Sequence, residues 1–237
     1  MTSTLRSAAP TAPPAQSQEV EPSVGRELPE AAFAAGLQGT SRHRHLAVVG
    51  TEMTVDALAA EQAVRDLLIA LGRDPEDEHL VATPRRVAAS FIELLTPERF
   101  ELTTFPNEEG YDEMVLVRDI PFRSLCQHHL LPFHGLAHVG YIPGDRILGL
   151  SKLARIVKLF ASDLQVQERL TKQVADSLQE HLQPKGVGVV LESDHLCMSL
   201  RGVAATGSRT VTSAVHGLLR DNASSRQEFF SLTPTGR

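Results

Sequence analysis

The residues best suited to chemistry are Cys126-Gln127-His128-His129 and, further along the chain, His195-Leu196-Cys197. These segments hold the only two cysteines, and each cysteine has a histidine within three positions. Cys126 and His129 form a C-x₂-H pair. With Cys197 they offer two thiolates and an imidazole, a set that gives zinc three protein ligands and leaves the fourth position for water. Such an arrangement belongs to catalytic rather than structural zinc. Spacing alone leaves a second reading equally open, in which two inert cysteines are buried as small hydrophobes and the histidines bond to backbone.

Composition narrows what can surround these residues. The chain has 237 residues, enough for one ordinary domain with an appended tail. Hydrophobic residues make up 42% and charged residues 22%, as in soluble globular proteins. No apolar run is long enough for a membrane span, and the N-terminus lacks a secretory apolar stretch. Two cysteines make no disulfide framework, and as metal thiolates they suit a reducing cytoplasm. A net charge of −6 argues against general nucleic-acid binding, so any cations that matter act locally.

The elements that must position the site follow from periodicity. Residues 1–50 read as a disordered Pro/Ala/Ser-rich tail without apolar periodicity. Residues 51–112 read as an N-terminal helical region. One helix carries Ala57, Ala60, Val64, Leu67, Leu68 and Leu71 and stops at Gly72. A second is expected to open with Thr83 as cap and Pro84 in first position, with Val87, Phe91, Leu94 and Leu95 along one side. Arg85 and Arg86 in its first turn oppose the helix dipole and would favour an anionic partner.

Residues 113–237 read as the catalytic domain. Strand-like runs over Met114–Phe122 and Leu136–Ile142 flank the CQHH segment. A helix over Ser151–Phe160 buries Leu153, Ile156, Val157 and Phe160 and presents Lys152 and Arg155 on another face. The next helix is expected from Leu164 to Leu182, opened by a Ser162/Gln165 capping box. Strands at Val187–Leu191 and Arg209–Val215 close the order ββααββ, an α+β layer of antiparallel sheet with two helices on one face.

Cys126-Gln-His-His129, Gly149-Leu-Ser-Lys-Leu153, Gln165-Val-Gln-Glu-Arg-Leu-Thr171, His195-Leu-Cys197, Arg201-Gly-Val203 and Gly207-Ser-Arg-Thr-Val-Thr-Ser213 together resemble the GTP cyclohydrolase I family. The resemblance runs over roughly residues 55–232. It implies a T-fold with a four-stranded antiparallel sheet, and a toroidal homodecamer whose active sites lie at subunit interfaces. It also implies the conversion of GTP and water to 7,8-dihydroneopterin triphosphate and formate, the first step of folate and pterin synthesis. Ring closure would pair the sheet edges that a lone subunit exposes.

The same resemblance assigns roles to individual residues. Cys126, His129 and Cys197 would hold Zn²⁺, which activates water toward C8 of the guanine. His128 and His195 would carry protons during ring opening and formamide hydrolysis. The sequence leaves open for His128 an ordering role beside the metal. Glu168 would accept from guanine N1–H and the 2-amino group, and Gln167 would reach the ribose. Ser151 would assist the later rearrangement of the opened ribose. Lys152, Arg155 and Arg201 would bind the triphosphate, with Arg86 supplied by a neighbouring subunit.

Some positions depart from the family pattern. Gln127 stands where the family usually has Glu, and Ala89, Ser162, Asp163 and Ala204 occupy places that are often basic. Two other readings follow from these departures. One is a paralogue of specialised metabolism that acts on a modified guanine nucleotide such as 8-oxo-GTP, or stops at a ring-opened intermediate. The other is a non-catalytic nucleotide-binding subunit, against which the retained cysteines and histidines speak.

Overall fold

The computed structural model describes residues 44–47, without their side chains, and residues 54–233. Of the tail read over residues 1–50, residues 1–43 and 48–50 lie outside the described residues. Within the stretch read as tail, β1 (Arg44–Ala47) pairs antiparallel with β2 (Glu101–Pro106), a strand inside the region expected to be helical.

The two N-terminal helices form as the periodicity predicts. α1 (Ala57–Ala70) is capped by Asp56, whose carboxylate accepts from the Ala59 amide at 2.9 Å, and Gly72 follows it at φ +71°. α2 (Thr83–Leu95) starts one residue earlier than expected. Ala82 is its N-cap, so Thr83 does not cap the helix and Pro84 takes the second helical position.

The main sheet is built from β3 (Val115–Cys126), β4 (Pro132–Ile142), β7 (Gly186–His195) and β8 (Thr210–Gly217), antiparallel in that spatial order. Between β4 and β7 the chain makes β5 (Arg146–Leu148), α3 (Leu150–Ala161), β6 (Leu164–Gln165) and α4 (Gln167–Leu182). After β7 come α5 (Leu196–Ser199), then β8, α6 (Leu218–Asp221) and α7 (Ala223–Leu232). β5 joins β1 and β2 in a separate three-stranded sheet.

Three details differ from the expected four-stranded layer. The sheet has a fifth strand, because β6 adds parallel to the end of β3, pairing Leu125 with Leu164 and Cys126 with Gln165. The helix expected from Leu164 therefore begins only at Gln167, and the capping box does not form. Ser162 instead ends α3, its hydroxyl donating to Lys158 O, and the Asp163 carboxylate accepts from the Leu164 amide. The second sheet face is also partly covered. α3 and α4 bury Leu153, Ile156, Leu170, Val174 and Leu178 against Ala137, Val139, Val189 and Leu191. Phe229 of α7 packs with Ile142, Val190 and Leu219, on residues of opposite strand parity.

Pro121 sits within β3 because, among the described residues, the outer side of that strand has no ladder partner until Leu125. Close backbone approach fixes Gly135: a Cβ there would lie 1.9 Å from the Glu192 carbonyl oxygen. The three nearest atoms, from Glu192 and Ser193, are all backbone, so no side chain can move aside to make room. Gly135→Ala should cost about 3 kcal/mol of stability by forcing β4 from β7. A thermal or denaturant melt that matches the unmutated protein would contradict this packing.

Candidate active site

The site residues converge at one end of the main sheet. Cys126 is the last residue of β3 and His195 the last of β7. The loop after Cys126 folds back at once: the His129 and Leu130 amides both donate to Cys126 O, and the Cys126 amide donates to Leu131 O. Leu130 takes a left-handed φ of +55°, which turns the chain into β4 and holds His129 beside Cys126. Leaving β7, the chain makes one short helix, α5, that brings Cys197 back toward Cys126.

Cys126 Sγ lies 3.7 Å from His129 Nδ1 and 4.0 Å from Cys197 Sγ. All three donor atoms lie within 4.8 Å of one another. A tetrahedral ion with metal–sulfur bonds of about 2.3 Å and metal–nitrogen bonds of about 2.0 Å needs sulfurs about 3.8 Å apart and sulfur and nitrogen about 3.5 Å apart. The donor set fits, and the group can hold a metal ion. Neither cysteine is in a disulfide. Inert core cysteines have no reason to meet across two strand ends with an imidazole nitrogen beside them, so the geometry favours the first of the two readings left open by spacing.

The thiols are tuned by this closeness. Burial pushes the Cys197 thiol above its ordinary value, and the neighbouring Cys126 raises it further, while the charge of Arg201 pulls the other way. The charge of Arg201 thus reaches the Cys197 thiol. His128 Nδ1 lies 3.9 Å from Cys126 Sγ, and its other ring nitrogen lies 3.5 Å from the Gln127 amide nitrogen. The Gln127 backbone N–H, distinct from that side-chain amide, donates to Gln165 O, which ties the loop to β6.

His195 is held more firmly. Its ring stacks on Phe133 with centroids 4.5 Å apart and planes 3° from parallel, and Nε2 lies 2.8 Å from Gln167 Oε1. Burial lowers its pKa, and the charges of Glu168 and Asp194 partly restore it. Glu168 is exposed in the first turn of α4, within electrostatic reach of His195.

Residues 60–234 match the GTP cyclohydrolase I family. GTP cyclohydrolase 1 of Mycobacterium tuberculosis is 54% identical over 184 residues, covering 75% of this chain and 90% of that protein. The chain belongs to the GTP cyclohydrolase I family. The enzyme of that name from Mycolicibacterium gilvum is 51% identical over 81% of this chain and 98% of its own length. That from Aquifex aeolicus is 51% identical over 76% of this chain, again spanning 98% of the relative.

Not every expected residue of a GTP cyclohydrolase I site is gathered within this one chain. Among the described residues, no hydrogen bond or ion pair ties Ser151, Lys152, Arg155 or Arg86 to the Cys/His group. Ser151 is exposed at the start of α3, Lys152 lies 5.6 Å over the Phe100 ring, and Arg155 pairs with Glu98 at 3.7 Å. Arg86 is exposed on α2. Gln167, expected to reach the ribose, is instead turned inward and 1% exposed. Phe133 and Ser193 go unflagged in the sequence, and Gln165 is read there as a capping and motif residue without a site role, although each contacts or braces the site. A Gln-x-Gln alternation at 165 and 167 was the available signal for an extended segment there.

Proposed function

We propose that the chain is a zinc-dependent GTP cyclohydrolase I, which opens the guanine imidazole ring of GTP with water, releases formate and forms 7,8-dihydroneopterin triphosphate. The observation that carries this reading is the convergence of Cys126, His129 and Cys197, flanked by His128 and His195, in a chain of that family. Zinc held by these three residues would supply Lewis-acid activation of water at neutral pH. Burial lowers the pKa of His195 and so favours the neutral imidazole, the form suited to accept a proton and return it as the ring opens. His128, on the more exposed side of the centre, would serve as second carrier during formamide hydrolysis.

Glu168 would recognise guanine by accepting from N1–H and the 2-amino group together. Ser151 would act in rearranging the opened ribose. Lys152, Arg155 and Arg201 would hold the triphosphate, and Arg86 would come from a neighbouring subunit. That division fits a ring: the outer edge of β8, and that of β3 before Leu125, have no strand partner among the described residues. Pairing these edges between copies would close a toroid, with a homodecamer as the family form. Among the described residues no helix is long and apolar enough to cross a membrane, and metal thiolates suit a cytoplasmic setting.

Purified, zinc-loaded protein given GTP should release formate and yield a product that fluoresces as neopterin after oxidation. Folded, metal-loaded protein that leaves GTP unchanged would overturn the reading, and turnover of 8-oxo-GTP in its place would point to the specialised paralogue. Glu168→Ala should keep its zinc yet lower GTP turnover by about 10²-fold and erase the preference for GTP over ITP. Equal turnover of GTP and ITP by the unmutated protein would exclude the guanine-reading role.

A further inference from the structure

We propose that Gln167 is a positioning residue for His195, holding its imidazole in the tautomer with hydrogen on Nε2, so that Nδ1 is the nitrogen left to carry protons. The argument is one of donor and acceptor capacity. Gln167 Nε2 lies 3.1 Å from Leu191 O and 3.0 Å from Thr210 O. Both are backbone carbonyls that can only accept, so they consume the two amide hydrogens. Gln167 Oε1 lies 2.6 Å from Ser193 Oγ and 2.8 Å from His195 Nε2. Turning the amide over would set its oxygen against two carbonyl oxygens in a region where Gln167 is 1% and Ser193 0% exposed. The orientation is therefore fixed, and Oε1 must accept.

A ring nitrogen facing an obligate acceptor carries its hydrogen there. Phe133, fully buried and stacked parallel to the ring, keeps the imidazole from swinging out of that bond. The two carbonyl anchors belong to β7 and β8, so the amide refers the ring to the sheet. With both hydrogens and both lone pairs engaged, Gln167 has no capacity left for a ribose hydroxyl. The inference rests on the proton-carrying role of His195 given above.

The tautomer can be read directly in the zinc-loaded, unmutated protein labelled with ¹⁵N-imidazole histidine, the His195 signals being assigned by their loss in His195→Asn. A protonated Nε2 with an unprotonated Nδ1 is expected; the opposite pattern would overturn the proposal, however any variant folds. Gln167→Met keeps the side-chain length and removes the acceptor. It should lower kcat by about 10²-fold while zinc content stays the same and KM for GTP changes by less than a factor of about three. A raised KM with kcat preserved would instead return Gln167 to the ribose. If His195→Asn is inactive while Gln167→Met turns over normally, this inference alone fails. If His195→Asn turns over normally, the proton-carrying role itself fails.

Discussion

Cys197→Ser is expected to leave a folded chain that retains almost no zinc and turns over GTP at least about 10³-fold more slowly, a loss of several kcal/mol of transition-state stabilisation. Cys197 sits in the short helix α5 beyond the end of β7 and only partly packs on the core, so the sheet should survive the change. What is lost is one of two thiolates. A serine hydroxyl stays protonated near neutral pH and is a harder, weaker ligand for zinc. The metal-free thiol carries a second consequence. Because burial and Cys126 raise its pKa, it holds its proton at neutral pH, and metal binding must expel that proton. Lower pH favours the protonated thiol, so apparent zinc affinity should fall as pH drops. Competition against a chelator of known affinity, with metal analysis of both proteins, tests both statements. Full zinc content and turnover in Cys197→Ser would remove the centre from the mechanism.

The ligand set was legible because its chemistry is written in residue types and short spacing: Cys126 and His129 belong to one turn, and Cys197 is the only other thiol. The network that holds His195 was not. Val166, Leu170, Val174 and Leu178 keep a four-residue step, so periodicity draws the helix back past its true start. Val166 is in fact extended, at φ −108° and ψ 142°. What stops the helix is the pairing of Leu164 and Gln165 with Leu125 and Cys126, a tertiary contact that no local window contains. The covering of the second sheet face had a signal that strand assignment alone does not use. Val187 to Leu191 is a nearly unbroken apolar run, and such a strand is buried on both faces. The helix that covers it, α7, was hidden because Phe229 is its one buried residue and makes no stripe.

The departures from the family pattern sort themselves by position. Ser162 and Asp163 have local work at the turn between α3 and β6, where Asp163 O also accepts from the Ser124 hydroxyl. Their identity is thus explained by the backbone they satisfy. Ala89 is exposed on α2. Ala204 holds a left-handed φ of +49° in the exposed segment after Arg201, and nothing in the structure explains why alanine stands there.

His195→Asn should retain zinc and bind GTP, yet lose turnover by about 10²- to 10⁴-fold, the range of a positioned general acid–base group. The residue ends β7 and caps α5, with Phe133 on its face and Gln167 on its edge, so its ring has a single orientation. Burial favours the neutral imidazole, which is the form that can accept a proton. The sign of the pH dependence follows. Lowering the pH protonates the ring and removes the acceptor, so kcat/KM should decline on the acid side. The depressed pKa places that decline below the ordinary histidine value of about 6.5. The Glu168 carboxylate pulls the pKa upward, so Glu168→Ala should move the acid limb to still lower pH in whatever activity remains. This coupling separates proton transfer from simple packing: a ring that only filled space would leave the acid limb unmoved by a carboxylate beside it. An acid limb identical in the unmutated and Glu168→Ala proteins, together with near-normal turnover by His195→Asn, would place the proton transfer elsewhere, with His128 the next residue to replace.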